Sequence, residues 1–97
     1  MLIYQVQIEI EPSIEKDWLD YMKRKHVPDV LATGLIVTHQ VWRVSDSEKP
    51  IFHYNYYFKD ESAYQQYNEE FAPVLRAEPM EKFNGKFTAR RTFYTLI

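Results

Sequence analysis

From residue 2 to residue 10 the chain alternates: Tyr4, Val6, Ile8 and Ile10 fall on one side, Gln5, Gln7 and Glu9 on the other. A period of two belongs to a strand with one buried face. After Glu11-Pro12 the period changes. At roughly 100° per residue, Ile14, Trp18, Leu19, Tyr21, Met22, His26 and Val30 gather on about half of a helical wheel, with Lys16, Asp17, Asp20, Lys23 and Arg24 opposite. Ser13 is placed to cap this helix, and Glu15 in its first turn suits the positive end of the dipole. Pro28 removes an amide donor and pushes Val27 away from helical geometry, which predicts a break or kink near residues 26–28. Residues 29–33 then form a last turn, and Gly34 lets the chain leave through positive φ.

Residues 35–45 are β-branched and apolar and predict a second strand. Its faces are less distinct, with Leu35, Val37, His39 and Val41 on one and Ile36, Thr38, Gln40 and Trp42 on the other. The polar stretch 46–50 has the length of a hairpin loop. Residues 51–59 alternate again, with Phe52, Tyr54, Tyr56 and Phe58 set against His53, Asn55 and Tyr57. Asp60 to Ser62 can cap a second helix, with Gln65 completing a capping box after Ser62. Tyr64, Tyr67, Phe71, Val74 and Leu75 recur at helical spacing, Pro73 interrupts, and Pro79 ends or bends the continuation. Asn84-Gly85 stops it. A last strand, 86–96, carries Phe87, Ala89, Arg91 and Phe93 on one face.

The order β-α-β-β-α-β predicts an α+β fold: a four-stranded antiparallel sheet with both helices on one face, a ferredoxin-like sandwich forming a single domain over 1–97. The other face of the sheet is left bare. By alternation Ile3, Tyr57, Tyr94 and either Trp42 or Val41 share it with Gln5, Gln7 and Glu9. Aromatics with polar tips suit a face buried against a second sheet, so the pattern predicts a homodimer.

Composition narrows the chemistry. Cysteine is absent, which excludes disulfides and thiolate metal sites. With 12 basic and 14 acidic residues interspersed, the chain lacks the basic stripe of a nucleic-acid binder. Two glycines are too few for a phosphate-cradling loop. No apolar run approaches a membrane span and no signal-like stretch opens the chain, so the expectation is a cytoplasmic protein with no membrane partner.

The candidate chemistry lies in two apolar stripes that each carry one polar residue. His26 is either held structurally by Asp29 and a backbone carbonyl freed by Pro28, or acts as a general acid or base oriented by Asp29. Arg91 falls among Phe87, Ala89 and Phe93 on the core-facing side of the last strand, where a guanidinium needs a partner. Asp29 or a ligand carboxylate fits that role. A one-residue slip of register would put Arg90 there instead. His26, His39 and His53 lack metal-ligand spacing, so no metal site is predicted.

Trp18, Tyr21-Met22, the run His26-x-Pro28-Asp29-Val30-Leu31-x-Thr33-Gly34, then Ala72-Pro73-x-Leu75-Arg76 and Arg91-Thr92, resemble a bacterial family of unassigned function in the dimeric α/β-barrel superfamily. The resemblance covers nearly the whole chain. More distantly, the histidine, the proline two residues on and the glycine before the second strand are similar to EthD-like proteins and muconolactone-type isomerases. The resemblance implies a barrel-forming homodimer, a pocket between the helices and the sheet, and a first-helix histidine able to move protons. The Asn-Trp-His trio of haem-degrading relatives cannot be placed on this sequence, and no cofactor is implied.

Three functions remain open on the sequence. The first is a small-molecule-binding protein whose pocket lies between helix one and the sheet, lined by Trp18, Met22, His26, Tyr54 and Arg91, for a partly aromatic or acidic molecule. The second is an isomerase- or lyase-type enzyme using His26 for proton transfer. The third is a structural or regulatory dimer without a ligand.

Overall fold

The strong alternation of residues 2–10 and 51–59 forms the two central strands of the sheet. In a computed structural model describing residues 1–97, β1 (Leu2–Ile10) and β3 (Ile51–Phe58) pair antiparallel, with β2 (Ile36–Arg43) outside β3 and β4 (Phe87–Thr95) outside β1. The order β2-β3-β1-β4 is that of a ferredoxin-like α+β fold. Its register brings Tyr4 opposite Tyr56 and Phe93, Val6 opposite Tyr54 and Arg91, and Ile8 opposite Phe52 and Ala89. These side chains share the face on which the helices pack, so Arg91 and not Arg90 occupies the covered side.

That covered face builds the core. Tyr4, Ile8, Ile10, Phe52, Tyr54, Tyr56 and Phe58 are buried against Trp18, Tyr21, Met22, Val27 and Val30 from the first helical arm and Tyr67, Ala72 and Phe83 from the second. The aromatic rings meet at centroid separations of about 5 to 6.5 Å, mostly tilted, the range in which aromatic pairs add to simple burial. No helix is long and apolar enough to cross a membrane.

The first arm departs from the predicted break. A short 3-10 turn (Pro12–Ile14) leads into α1 (Glu15–Tyr21), a π-helical turn (Met22–His26) and α2 (Val27–Leu31), with continuous helical structure from Glu15 to Leu31. The Val27 amide donates to the Met22 carbonyl, five residues back. On a regular wheel Val27 would lie about 180° from Trp18, yet both are buried. One extra residue in the π turn rotates everything downstream by roughly 100°, which brings Val27 and Val30 onto the Trp18 face. Pro28 thus sits in the first turn of α2, where its missing N–H costs little. The proline is absorbed by widening the helix, not by breaking it. Leu19, assigned to the stripe by the wheel, lies at its exposed edge. Ser13 makes no capping hydrogen bond, because it falls inside the 3-10 turn and not before the helix. Gly34 leaves the arm at φ 78°.

The second arm divides where Pro73 requires it. Helix α3 (Glu61–Glu70) is capped by Asp60, whose side chain accepts from the Ala63 amide at 2.9 Å. The chain pauses at Phe71 and restarts as α4 (Ala72–Lys82) with Pro73 in its first turn. Pro79 does not end this helix: it is buried inside α4, which continues to Lys82. In β2 a register shift between Ile36 and Thr38 changes the predicted faces. The extra residue puts Ile36, His39, Val41 and Arg43 on the covered side and Thr38, Gln40 and Trp42 on the open side. Of the two residues offered for the open face, Trp42 therefore takes the place and Val41 does not.

Candidate ligand cavity

Where α1, the π turn and α4 cross the sheet, large residues on the arms stand over small ones on the strands. Val6 and Ala89 form part of the floor, and a cavity of about 430 Å³ remains above them. This volume is in the range of small-molecule sites. Trp18, Met22 and His26 face it from the first arm, Arg76, Pro79 and Met80 from α4, and Tyr4, Tyr54, Tyr56 and Arg91 from the sheet. The five residues predicted from the sequence to line a pocket, Trp18, Met22, His26, Tyr54 and Arg91, are thus placed around one space. Trp18 is fixed in it: the ring is 1% exposed and its Nε1–H donates to Tyr54 Oη at 3.2 Å.

His26 lies on the π turn, with its ring 6.2 Å from that of Tyr21. No protein group hydrogen-bonds either of its nitrogens, so the predicted anchoring is absent. Asp29 instead accepts from Lys25, one helical turn back along its own face, and an i,i+4 partner of opposite charge competes well for a carboxylate. Burial pushes the His26 pKa below its ordinary value, against the nearby carboxylates of Glu78 and Asp29, which raise it, and with Lys25, which lowers it. The ring is therefore neutral at physiological pH, with a lone pair available. Above it the two arms are latched: Tyr21 Oη donates to Glu78 Oε1 at 2.7 Å, and Lys25 reaches Glu78 at 3.9 Å.

At the β4 end two guanidinium groups converge. Arg91 Nε donates to Tyr4 Oη at 2.9 Å, and Arg76 Nη2 donates to the same oxygen at 3.2 Å. Arg76 also lies beside the Tyr64 hydroxyl. The predicted alternative for Arg91, a salt bridge to Asp29, is not made, because Asp29 belongs to the Lys25 pair. Tyr56, close by on β3, is 4% exposed and its hydroxyl has no hydrogen-bond partner. Burial pushes its phenol well above the ordinary tyrosine value, and burial likewise moves Tyr54 and Tyr67 up to about 12. These phenols stay protonated and serve as hydrogen-bond donors, not as bases.

Arg76 and Tyr4 were not singled out by the sequence as site residues, and Tyr56 entered only as part of the Phe52-Tyr54-Tyr56-Phe58 ladder, readable either as core or as a surface for stacking a planar ligand. The signal for Arg76 existed: it falls in the stripe Ala72, Arg76, Pro79, Phe83, one charged residue on an apolar helix face. That is the same anomaly that marked Arg91. Tyr4 carried no such signal, since alternation alone reads it as core. The other two histidines are apart. His39 stacks on Tyr56 at 6.5 Å on the covered face, while His53, on the open face, shares a 3.0 Å hydrogen bond with Gln7.

Solved structures share this architecture. An EthD family protein from Bacillus halodurans superposes with a TM-score of 0.75 at 14% identity, each chain covered in full. A dimeric ferredoxin-like protein from an uncultured marine organism gives 0.74 at 12%, over 99% of this chain and 94% of that one. An antibiotic biosynthesis monooxygenase gives 0.73 at 14%, over 100% and 99%. At such identities the likeness is one of fold. No curated protein matches the sequence. The family model that does match covers residues 1–97, and the chain belongs to that family, described as a domain of unknown function, DUF4286.

Proposed function

We propose that the protein binds a small, partly aromatic molecule in the cavity between the first helical arm and the sheet. The observation that carries this reading is the composition of the space: a cavity of about 430 Å³, mostly apolar in its walls, into which a few polar groups converge. Trp18, Met22 and Tyr54 supply flat and adaptable apolar surface, and His26 and Arg91 supply polarity. Among the similar folds, the monooxygenase is named for chemistry on a small molecule. The working unit is a homodimer. Its support is the open face, where Trp42 is 57% and Tyr94 48% exposed and where Asn55 Oδ1 is buried without a partner. A similar fold is described as dimeric.

The test is a fluorescence titration of the Trp42→Phe protein, in which Trp18 is the remaining indole, against a panel of acidic, neutral and basic aromatic compounds. Binding shifts the Trp18 emission and raises the melting temperature. A panel that moves neither overturns the reading.

One observation favours a second reading, a proton-transfer enzyme of isomerase or lyase type. His26 is neutral, faces the cavity and has no protein partner on its ring, as a general base requires. Asp29 has no part in it. On this reading His26→Gln retains ligand binding and loses turnover of a bound compound bearing an acidic C–H. Equal exchange of that proton for deuterium in both proteins excludes it.

A further inference from the structure

We infer that Arg76 and Arg91, together with the Tyr4 hydroxyl, form a subsite for the acidic group of an organic acid whose flat apolar body lies in the cavity beside Trp18. The inference rests on the cavity reading above and names the class of ligand. Both arginines donate to one phenol oxygen, at 2.9 and 3.2 Å, so the donor nitrogens stand no more than about 6 Å apart, a separation at which like charges repel appreciably. A neutral phenol does not offset two positive charges. The chain has 14 acidic residues, yet its ion pairs use Asp20, Asp29, Glu78, Glu15 and Glu9 with Arg24, Lys25, Arg43 and Lys49. None is spent on Arg76 or Arg91.

The donors left over point to the missing partner. Each guanidinium carries five N–H groups in a planar fork suited to a carboxylate. A Tyr4 oxygen that accepts twice still has its own proton to donate. The Tyr56 hydroxyl is buried deeper in the same cavity and takes no part in this subsite. An oxyanion is the group that satisfies all of these together. Arg91 is exposed and lies at the edge of the site, on the outer strand β4, while Trp18 lies deep. The acid group therefore sits at the mouth and the ring system enters first.

The experiment compares 2-naphthoate with 2-naphthamide, matched in shape and differing in charge, by isothermal titration calorimetry on the intact protein and on Arg91→Gln and Arg76→Gln. The inference expects naphthoate to bind the wild-type protein at least tenfold more tightly than the amide. Each substitution should remove that preference by lowering naphthoate affinity at least tenfold. A melting temperature for each variant equal to or above the wild-type value supports the inference further, since removing one of two repelling charges relieves the folded state. Arg91→Lys keeps the charge without the fork and should retain part of the preference. If naphthoate and naphthamide bind alike, the anion subsite is overturned and the cavity reading stands. If neither binds, both fall.

Discussion

The two faces of the sheet use the same kinds of residue for opposite ends. On the covered face, Tyr4, Tyr54, Tyr56 and Phe58 are buried to within a few per cent, and the aromatic rings form both the core and the wall of a cavity. On the open face Trp42 and Tyr94 stand in solvent, among Gln5, Gln7 and Thr92. Rings on one side hold the fold together, and rings on the other side are free to hold something else. The comparison teaches that aromatic content alone does not say where a site is. What separates the faces is how many polar groups near the rings are satisfied, and on the open face Asn55 Oδ1 is the exception. On the open face Tyr57 Oη donates to Gln40, His53 shares a hydrogen bond with Gln7, and Tyr94 Oη reaches Gln5. On the covered face His26, the Tyr56 hydroxyl and two arginines are left without protein partners of matching chemistry.

The sharpest break between the faces is a pair of matched truncations. Trp18→Ala should cost about 3–5 kcal/mol of folding stability, the range for a fully buried large side chain. Trp42→Ala should cost less than about 0.5 kcal/mol per protomer in chemical denaturation under conditions that keep the chain monomeric. Comparable losses would mean that the open face is as much a folding surface as the covered one.

Association gives the reverse contrast. Trp42→Glu places a charge on the open face, and light scattering should then return a mass near 11.8 kDa where the wild-type protein returns twice that. The same charge placed at exposed Val74 on α4 should leave the mass unchanged. If both proteins behave alike, the open sheet face is not the dimer surface.

A smaller effect is expected at the exit from the first arm. Gly34 has φ 78° and open space around the position of a Cβ, so Gly34→Ala meets no clash and bears only the left-handed strain, about 1–2 kcal/mol. A larger loss would show that the loop into β2 is more tightly packed than it is here.

The smallest is a pH slope. Burial holds the folded-state pKa of His26 below its ordinary value, so the unfolded chain takes up the proton first. The contribution is absent above the unfolded pKa of about 6.5. As pH falls through that value stability declines, and it levels off once the folded-state pKa is passed. Thermal melts from pH 7.5 to 5 should therefore fall more steeply for the wild-type protein than for His26→Gln. Parallel curves would place His26 in water.

Much of this fold can be read from residues in a row. The strict alternation of 2–10 and 51–59 marks both central strands, and the covered face follows from Tyr4, Ile8, Phe52 and Phe58 falling in phase. The positions that resist such reading are those where one residue is inserted. The π turn at Met22–His26 and the irregularity between Ile36 and Thr38 each add one residue. An inserted residue shifts the phase of everything after it, in a helix by about 100° and in a strand by a full reversal. A fixed period cannot represent that, which is why Val27 falls outside the apolar stripe of a regular wheel and why alternation alone leaves Trp42 and Val41 as alternatives for the open face. The site was legible where a polar residue interrupts an apolar stripe, as at His26 and Arg91. It was illegible for the partners of those residues. That Arg76 on α4 meets Arg91 at Tyr4 depends on how distant segments dock, whereas Asp29 turns to Lys25 because an i,i+4 partner of opposite charge lies on its own helical arm.

The central claim is that the covered face holds a ligand-accessible cavity, and the three methionines test it most directly. Met22 and Met80 line the cavity and Met1 does not. With the methionine methyl groups labelled with carbon-13, the spectrum has three signals, assigned by single substitution to leucine. Saturating 2-naphthoate should shift the Met22 and Met80 signals and leave that of Met1 in place. A shift confined to Met1, or three unmoved signals at a concentration where calorimetry registers binding, would contradict the account.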